Sequence, residues 1–371
     1  MKKKYIIFSI VTLVLLVSFL SYSKYLKTTN VFKEGDVKPT KITKGISMNL
    51  EQTAGAGDYK TVTQSSWPTK GYKFNAELSR CENGSTLSWD DTKKAVIMQG
   101  NVSDKCYVYF DIYQPKLAEY IKSQYTGTQG DNALYYHNST LTNGAGDNSY
   151  RYAGASDSVY NYICLGSDET TCPDANLFRI IGVFGAQTKV IRAKSVGDKQ
   201  WHTSADNTWS SSSLNTYLNG EYLTSLGTIA EKIATTTWKV GGGSSTYLYD
   251  VPTTAYQYEV GSSASTTTYD AKIGLMYVSD YGFAADQSGW TTKLSSYGSN
   301  SSKNWLYLGS FEWTISRSSG STYNAFGVLS TGNVIYSNVT YGIGVRPSFN
   351  LLSSVKYVSG SGSMSDPVRI N

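Results

Sequence analysis

The sequence predicts a mainly β protein with a few short helices, an α+β class, and three observations support it. The 371-residue chain holds 34 Gly and 31 Tyr and is 13% aromatic but only 16% charged, a composition that can fold rather than stay disordered. Short apolar alternations broken by turn residues recur along most of it. Four cysteines fall as two well-separated pairs, Cys81 with Cys106 and Cys164 with Cys172, the usage expected of an oxidising compartment.

The first element is a leader. Tyr5 to Tyr22 is an uncharged, mostly apolar stretch preceded by Lys2, Lys3 and Lys4, at the lower edge of what spans a bilayer as a helix. Its cationic end should stay in the cytoplasm and send the remainder outward. Ser21-Tyr22-Ser23 offers a small-x-small cleavage site, but the apolar run is long for a signal peptide, which favours an uncleaved anchor over 1–23. The expectation is therefore a single-pass cell-membrane protein with its C-terminal bulk extracellular, secreted if cleaved after Ser23. The leader supplies three of the five net positive charges. The near-neutral body has no basic runs, so nucleic-acid binding lacks its electrostatic driving force.

After a polar tether over 24–40, residues 41–113 read as a small all-β module. Ile46–Leu50, Tyr72–Leu78, Ala95–Met98 and Cys106–Ile112 are strand-like, with Asn83-Gly84 suited to a tight turn. Residues 114–125 read as a connecting helix, with Pro115 early and Leu117, Tyr120 and Ile121 on one face. Of three connectivities open to four cysteines, nearest-neighbour pairing, Cys81–Cys106 and Cys164–Cys172, is expected, as structural bridges.

The last domain, over 126–371, begins with a polar, Gly- and Asn-rich stretch from Tyr125 to Ser158 that reads as a loop or an edge. Asn143, Asp147 and Asn148 offer oxygen ligands, but without the spacing of a calcium loop, so a plain turn is favoured and no metal is expected. Leu177–Phe184 and Lys189–Ala193 look like a hairpin turning at Gly185-Ala186 and burying one face. Ser213 to Leu223 reads as a helix with a Ser N-cap. Lys272–Val278 reads as a buried strand, followed by a helical turn that Asp280 is placed to cap.

Phe178-Arg179-Ile180-Ile181-Gly182-Val183, Trp209-x₄-Leu214-x₂-Tyr217-Leu218-Asn219, Glu312-Trp313, Ala325-Phe-Gly-Val-Leu329 and Gly344-Val345-Arg346-Pro347 follow one another in an ordered series. In this series the second half resembles the formylglycine-generating-enzyme-like branch of the C-type-lectin-like fold, closest to a bacterial surface family of unknown function. The resemblance implies a C-type-lectin-like domain with core motifs over 176–371, in which Trp209 and Trp313 anchor the core and Arg346 fixes loops. The order Trp313…Ser316-Arg317 departs from the family's pattern and no cysteine follows Cys172, so the oxidase chemistry is not carried over.

Catalytic signatures are sparse. His137 and His202 lie far apart, and neither is near a nucleophile elbow. A P-loop is absent, and no cofactor is expected. A glycosidase needs two carboxylates, and Glu221, Glu231, Glu259, Glu312, Asp280 and Asp286 remain open without a nominated pair. Trp201, Trp290, Trp305 and Tyr307 lie among Ser, Gly, Asn and Thr, a mixture that makes adaptable binding loops, and are the candidate ligand contacts. The expected function is a membrane-anchored surface protein with a non-catalytic lectin-like domain for a glycan or protein ligand. The alternatives are a carboxylate-dependent cell-envelope hydrolase or a purely structural surface protein.

Overall fold

The computed structural model describes residues 45–63, 66–68, 71–101 and 103–371. These fall into two compact units that divide between Gln114 and Pro115.

In the N-terminal unit, β1 (Ser47–Glu51), β2 (Tyr59–Val62), β3 (Tyr72–Cys81) and β6 (Cys106–Ile112) form one sheet in the order β2-β1-β6-β3, with β1 and β6 parallel. β4 (Thr86–Asp90) and β5 (Ala95–Gln99) form a separate hairpin. Alternation in β6 sends Cys106, Val108 and Phe110 inward. Phe110 gathers the rings of Trp67, Phe74 and Trp89 within 5.9 Å. A core this small gains from a covalent tie, and Cys81 and Cys106 are bonded to each other as cross-strand partners on β3 and β6. Their separation of 25 residues sets the loop that reduction would release. Changing both cysteines to Ala should therefore destabilise this unit by about 3 kcal/mol, read as a lower denaturant midpoint.

The C-terminal unit starts with α1 (Leu117–Ser123), whose Leu117, Ala118 and Ile121 enter the main core while Tyr120 stacks on Tyr357 at 3.6 Å. The helix expected to connect two domains is thus part of this unit. The polar stretch that follows yields two short strands, β7 (Leu134–Tyr136) and β8 (Tyr150–Tyr152), paired antiparallel.

A nine-stranded sheet carries the unit. Its path runs β15 (Ile273–Gly274), β20 (Ser348–Leu351), β11 (Gln187–Arg192), β10 (Leu177–Phe184), β9 (Tyr162–Cys164), β22 (Val368–Ile370) and β21 (Tyr357–Ser359), with β7 and β8 attached at β10. The β10–β11 hairpin turns at Gly185, whose φ of 62° suits glycine. Seven of the eight residues of β10 are buried, so this strand buries both faces rather than the one expected. Gly182 is required where β8 pairs with β10, because a Cβ there would lie 2.2 Å from the Tyr150 carbonyl oxygen.

A second sheet orders β12 (Asp198–Gln200), β19 (Gly342–Gly344), β16 (Glu312–Arg317), β17 (Asn324–Val328) and β18 (Val334–Asn338), and β13 (Thr236–Lys239) pairs with β14 (Thr268–Ala271). Between the strands lie α2 (Ser213–Tyr217), α3 (Pro252–Glu259) and α4 (Val278–Phe283). The N-cap of α2 is Ser212, which accepts from the Asn215 amide at 3.0 Å, one residue before the Ser213 expected. The strand expected over Lys272–Val278 shortens to the two residues of β15, because Val278 already opens α4.

One expectation is corrected here. The transmembrane helix assigned to Tyr5–Tyr22, with the anchor and tether around it, lies outside the described residues. Among the described residues no helix is long and apolar enough to cross a membrane. The longest α-helix among them, α3, has 8 residues against about 20 for a span. The fold class is accordingly mainly β with a few short helices, and the single-pass membrane placement with an extracellular bulk is not supported.

Candidate functional site

The most chemically dense part of the C-terminal unit forms at the start of α4. This helix is built on Tyr277 as N-cap with Asp280 in its first turn, and the Asp280 carboxylate reaches back to accept the Tyr277 amide at 2.9 Å, half of a capping box. All six residues of α4 are buried, so the carboxylate must be neutralised within the protein. Lys189 from β11 does so, with Nζ 2.5 Å from Oδ2, and Arg151 from β8 approaches Oδ1 at 3.5 Å. Arg151 also donates to the Asp147 carboxylate at 2.7 Å and to the Ser149 hydroxyl at 2.8 Å. Two cations and two carboxylates thus form one chain, Lys189–Asp280–Arg151–Asp147, with both side chains of its central ion pair 3% exposed.

Aromatic rings enclose the cations. The Lys189 ammonium lies 4.6 Å from the Tyr277 ring and 5.4 Å from Trp238, and the Arg151 guanidinium lies 4.6 Å from Phe184 and 5.4 Å from Tyr256, all within cation–π range. Burial lowers the Lys189 pKa, and the Asp280 charge opposes that shift. For Asp147, burial pushes upward, but the Arg151 charge and the Ser149 hydrogen bonds outweigh it and hold the carboxyl at about 2.

Glu259, the last residue of α3, braces the same helix. Its carboxylate accepts from the amides of Val278 at 2.9 Å and Ser279 at 2.7 Å, and from the Ser316 hydroxyl. Burial nevertheless raises its pKa to about 7 against those hydrogen bonds. His137 packs between Phe283 and Trp290, accepting the Ala145 amide on Nδ1. Burial, and after it the Arg151 charge, lowers its pKa well below the ordinary value.

A cavity of about 230 Å³ opens above the ion-pair chain. Phe184, Trp238, Tyr256 and Tyr277 supply its apolar walls, and Gln187, Lys239, Thr236 and Asn350 its polar margin. Lys189 and Asn350 face each other across β11 and β20, which is how two strands deliver neighbouring polar groups to one cavity. A larger cavity of about 580 Å³ adjoins the Cys164–Cys172 loop. It has no aromatic lining, and its Arg369 is engaged by the carbonyls of Ser167, Glu169 and Thr170.

The expected ligand contacts lie elsewhere. Trp201, Trp290 and Trp305 are buried, with indole N–H groups donating to the carbonyls of Thr314, Ala285 and Tyr152 at 3.1, 2.9 and 2.7 Å. They are core residues: a large indole whose N–H has an internal acceptor is stabilised inside, whatever the composition of the flanking loop. Tyr307 is half-buried and its hydroxyl donates to the Ser330 carbonyl. Of the open carboxylates, Glu221 and Glu231 are exposed, Asp286 is half-buried and accepts the Ser288 amide, and Glu312 is buried against Arg346. Asp280 and Glu259 meet at α4. Sequence reasoning missed Arg151, Lys189, Trp238 and Tyr256. The available signal was a lysine inside the apolar strand Val190 and Ile191 belong to, and an arginine set between Tyr150 and Tyr152. Among the described residues no group of three or more His, Cys, Asp or Glu is placed to hold a metal ion.

Fold and site together define a disulfide-containing, mainly β domain with a buried ion-pair network beneath a small aromatic cavity. Within it, residues 186–353 match the family model described as Domain of unknown function (DUF6273). That span contains Lys189, Trp238, Glu259 and Asp280, while Asp147 and Arg151 precede it. No curated protein and no solved structure matches the chain.

Proposed function

We propose that the C-terminal unit is a non-catalytic, lectin-like binding domain that takes a small polar ligand in the cavity above the Lys189–Asp280–Arg151–Asp147 chain. The observation that carries this reading is the union of an ion-paired floor, aromatic walls and uncommitted amide groups in one concave site, the arrangement expected of small-ligand pockets. The ordered motifs resembling the C-type-lectin-like fold support it from the sequence side. The carboxylates favour binding over hydrolysis: Asp280 is occupied by Lys189, Arg151 and the Tyr277 amide. Glu259 spends both oxygens on α4 and Ser316 and is not part of the cavity lining. A glycosidase acid must instead reach the leaving-group oxygen.

The test is titration of the purified chain with a panel of monosaccharides and small organic ions, followed by calorimetry and tryptophan fluorescence. Saturable binding is expected, weakened at least about fivefold by Gln187→Ala, the loss of one or two neutral hydrogen bonds, with the melting temperature unchanged. Silence across the panel would remove the proposal. Glycan turnover that disappears in Asp280→Asn would replace it with a hydrolase.

A further inference from the structure

We infer that the ligand of this cavity is a monosaccharide unit bearing one carboxylate, a uronic-acid-type sugar, and that Lys239 selects its charge. The inference rests on the binding role proposed above and adds the ligand's chemistry. Within the lining, the carboxylates of Asp147 and Asp280 are matched by Arg151 and Lys189. Lys239 is the third cation of the lining, and its ammonium makes no ion pair within the described residues. One positive charge is therefore left for a ligand to meet. The Lys239 amide donates to the Tyr277 hydroxyl at 2.9 Å, tying β13 to the cavity wall.

Size and polarity narrow the class. About 230 Å³ is below the 300–1,000 Å³ range of pockets for drug-sized ligands, which suits one sugar ring and excludes an oligomer buried whole. The side-chain amide of Gln187 makes no hydrogen bond within the described residues. The Asn350 amide uses only its N–H, on the Thr236 hydroxyl at 3.0 Å, leaving its oxygen as an acceptor. These are partners for ring hydroxyls, while half-buried Phe184 and Tyr256 offer faces for the C–H side of a sugar. A planar aromatic acid would fill the walls but leave the amides unmatched.

The experiment compares glucuronate with glucose, which share the ring and differ in carboxylate against hydroxymethyl, by calorimetry on the intact chain at low and moderate salt. Glucuronate should bind about tenfold more tightly, as one charge-assisted hydrogen bond predicts, with the advantage shrinking as salt rises. Lys239→Gln should bring the ratio near unity, through a loss of glucuronate affinity larger than any loss for glucose. Equal binding of the two sugars by the unaltered chain, or a preference that survives Lys239→Gln, overturns the inference. If glucuronate is silent while another compound of the panel binds, the inference fails and the binding role stands. Silence throughout ends both.

Discussion

Asp280→Ala should cost the C-terminal unit about 3–5 kcal/mol, the range for removing one partner of a buried ion pair. Three groups lose their acceptor together: the Lys189 ammonium, one arm of Arg151 and the Tyr277 amide at the helix start. Lys189 is the decisive one, because it is buried and pairs with no other carboxylate among the described residues, whereas Arg151 keeps Asp147 at 2.7 Å. The reverse change, Lys189→Ala, should cost less, since Asp280 would retain Arg151 and the Tyr277 amide. The double variant Lys189→Met/Asp280→Leu should recover much of the loss, as apolar replacements of buried pairs often do. Urea unfolding of the unaltered protein and the three variants makes the comparison. A loss below about 1 kcal/mol for Asp280→Ala, typical of a solvent-exposed pair, would show that water reaches this network and that the cavity floor is not built as described.

The same network shows how far the sequence could be read. Local signals did well where structure is local. Gly185-Ala186 marks a hairpin because the turn needs one residue with positive φ, and Pro115 precedes a helix whose apolar face is visible at i, i+3, i+4. The site is not local. Asp280 lies 129 positions from Arg151 and 91 from Lys189, and each stands in a segment whose composition suggests something else: a polar loop for Arg151, an apolar strand for Lys189, a helix cap for Asp280. The capping role holds, and it is what fixes the carboxylate where the two cations can reach it. The tryptophans illustrate the converse. Trp290 and Trp305 sit among Ser, Gly and Asn, and loop composition suggests exposure, but an indole gains more from burial than its neighbours lose. The surrounding small residues let the chain wrap it.

Glu259 should make the protein more stable toward mild acid than its carboxylate content suggests. Its pKa is raised from 4.5 to about 7 in the fold by burial, so the native state holds its proton more tightly than the unfolded chain does. The stability this contributes is fully present below pH 4.5 and is lost as pH rises through about 7. A difference of this size corresponds to about 3 kcal/mol across the window. His137 works in the opposite direction. Burial and Arg151 keep it neutral in the fold, so stability present above its ordinary pKa of 6.5 declines as pH falls below that value. The two effects oppose each other in the unaltered protein over this window. Glu259→Gln removes one side of the balance and leaves His137 uncompensated. Its denaturation free energy should therefore diverge from that of the parent by about 3 kcal/mol between pH 8 and 4.5, the parent gaining relative to the variant toward acid. Because every other titrating group is common to both proteins, the gap isolates Glu259 even if the variant starts from a lower baseline. Parallel curves would mean that the carboxyl is hydrated in the native state, and the hydrogen bonds to Val278, Ser279 and Ser316 would then have to hold α4 from a solvated position.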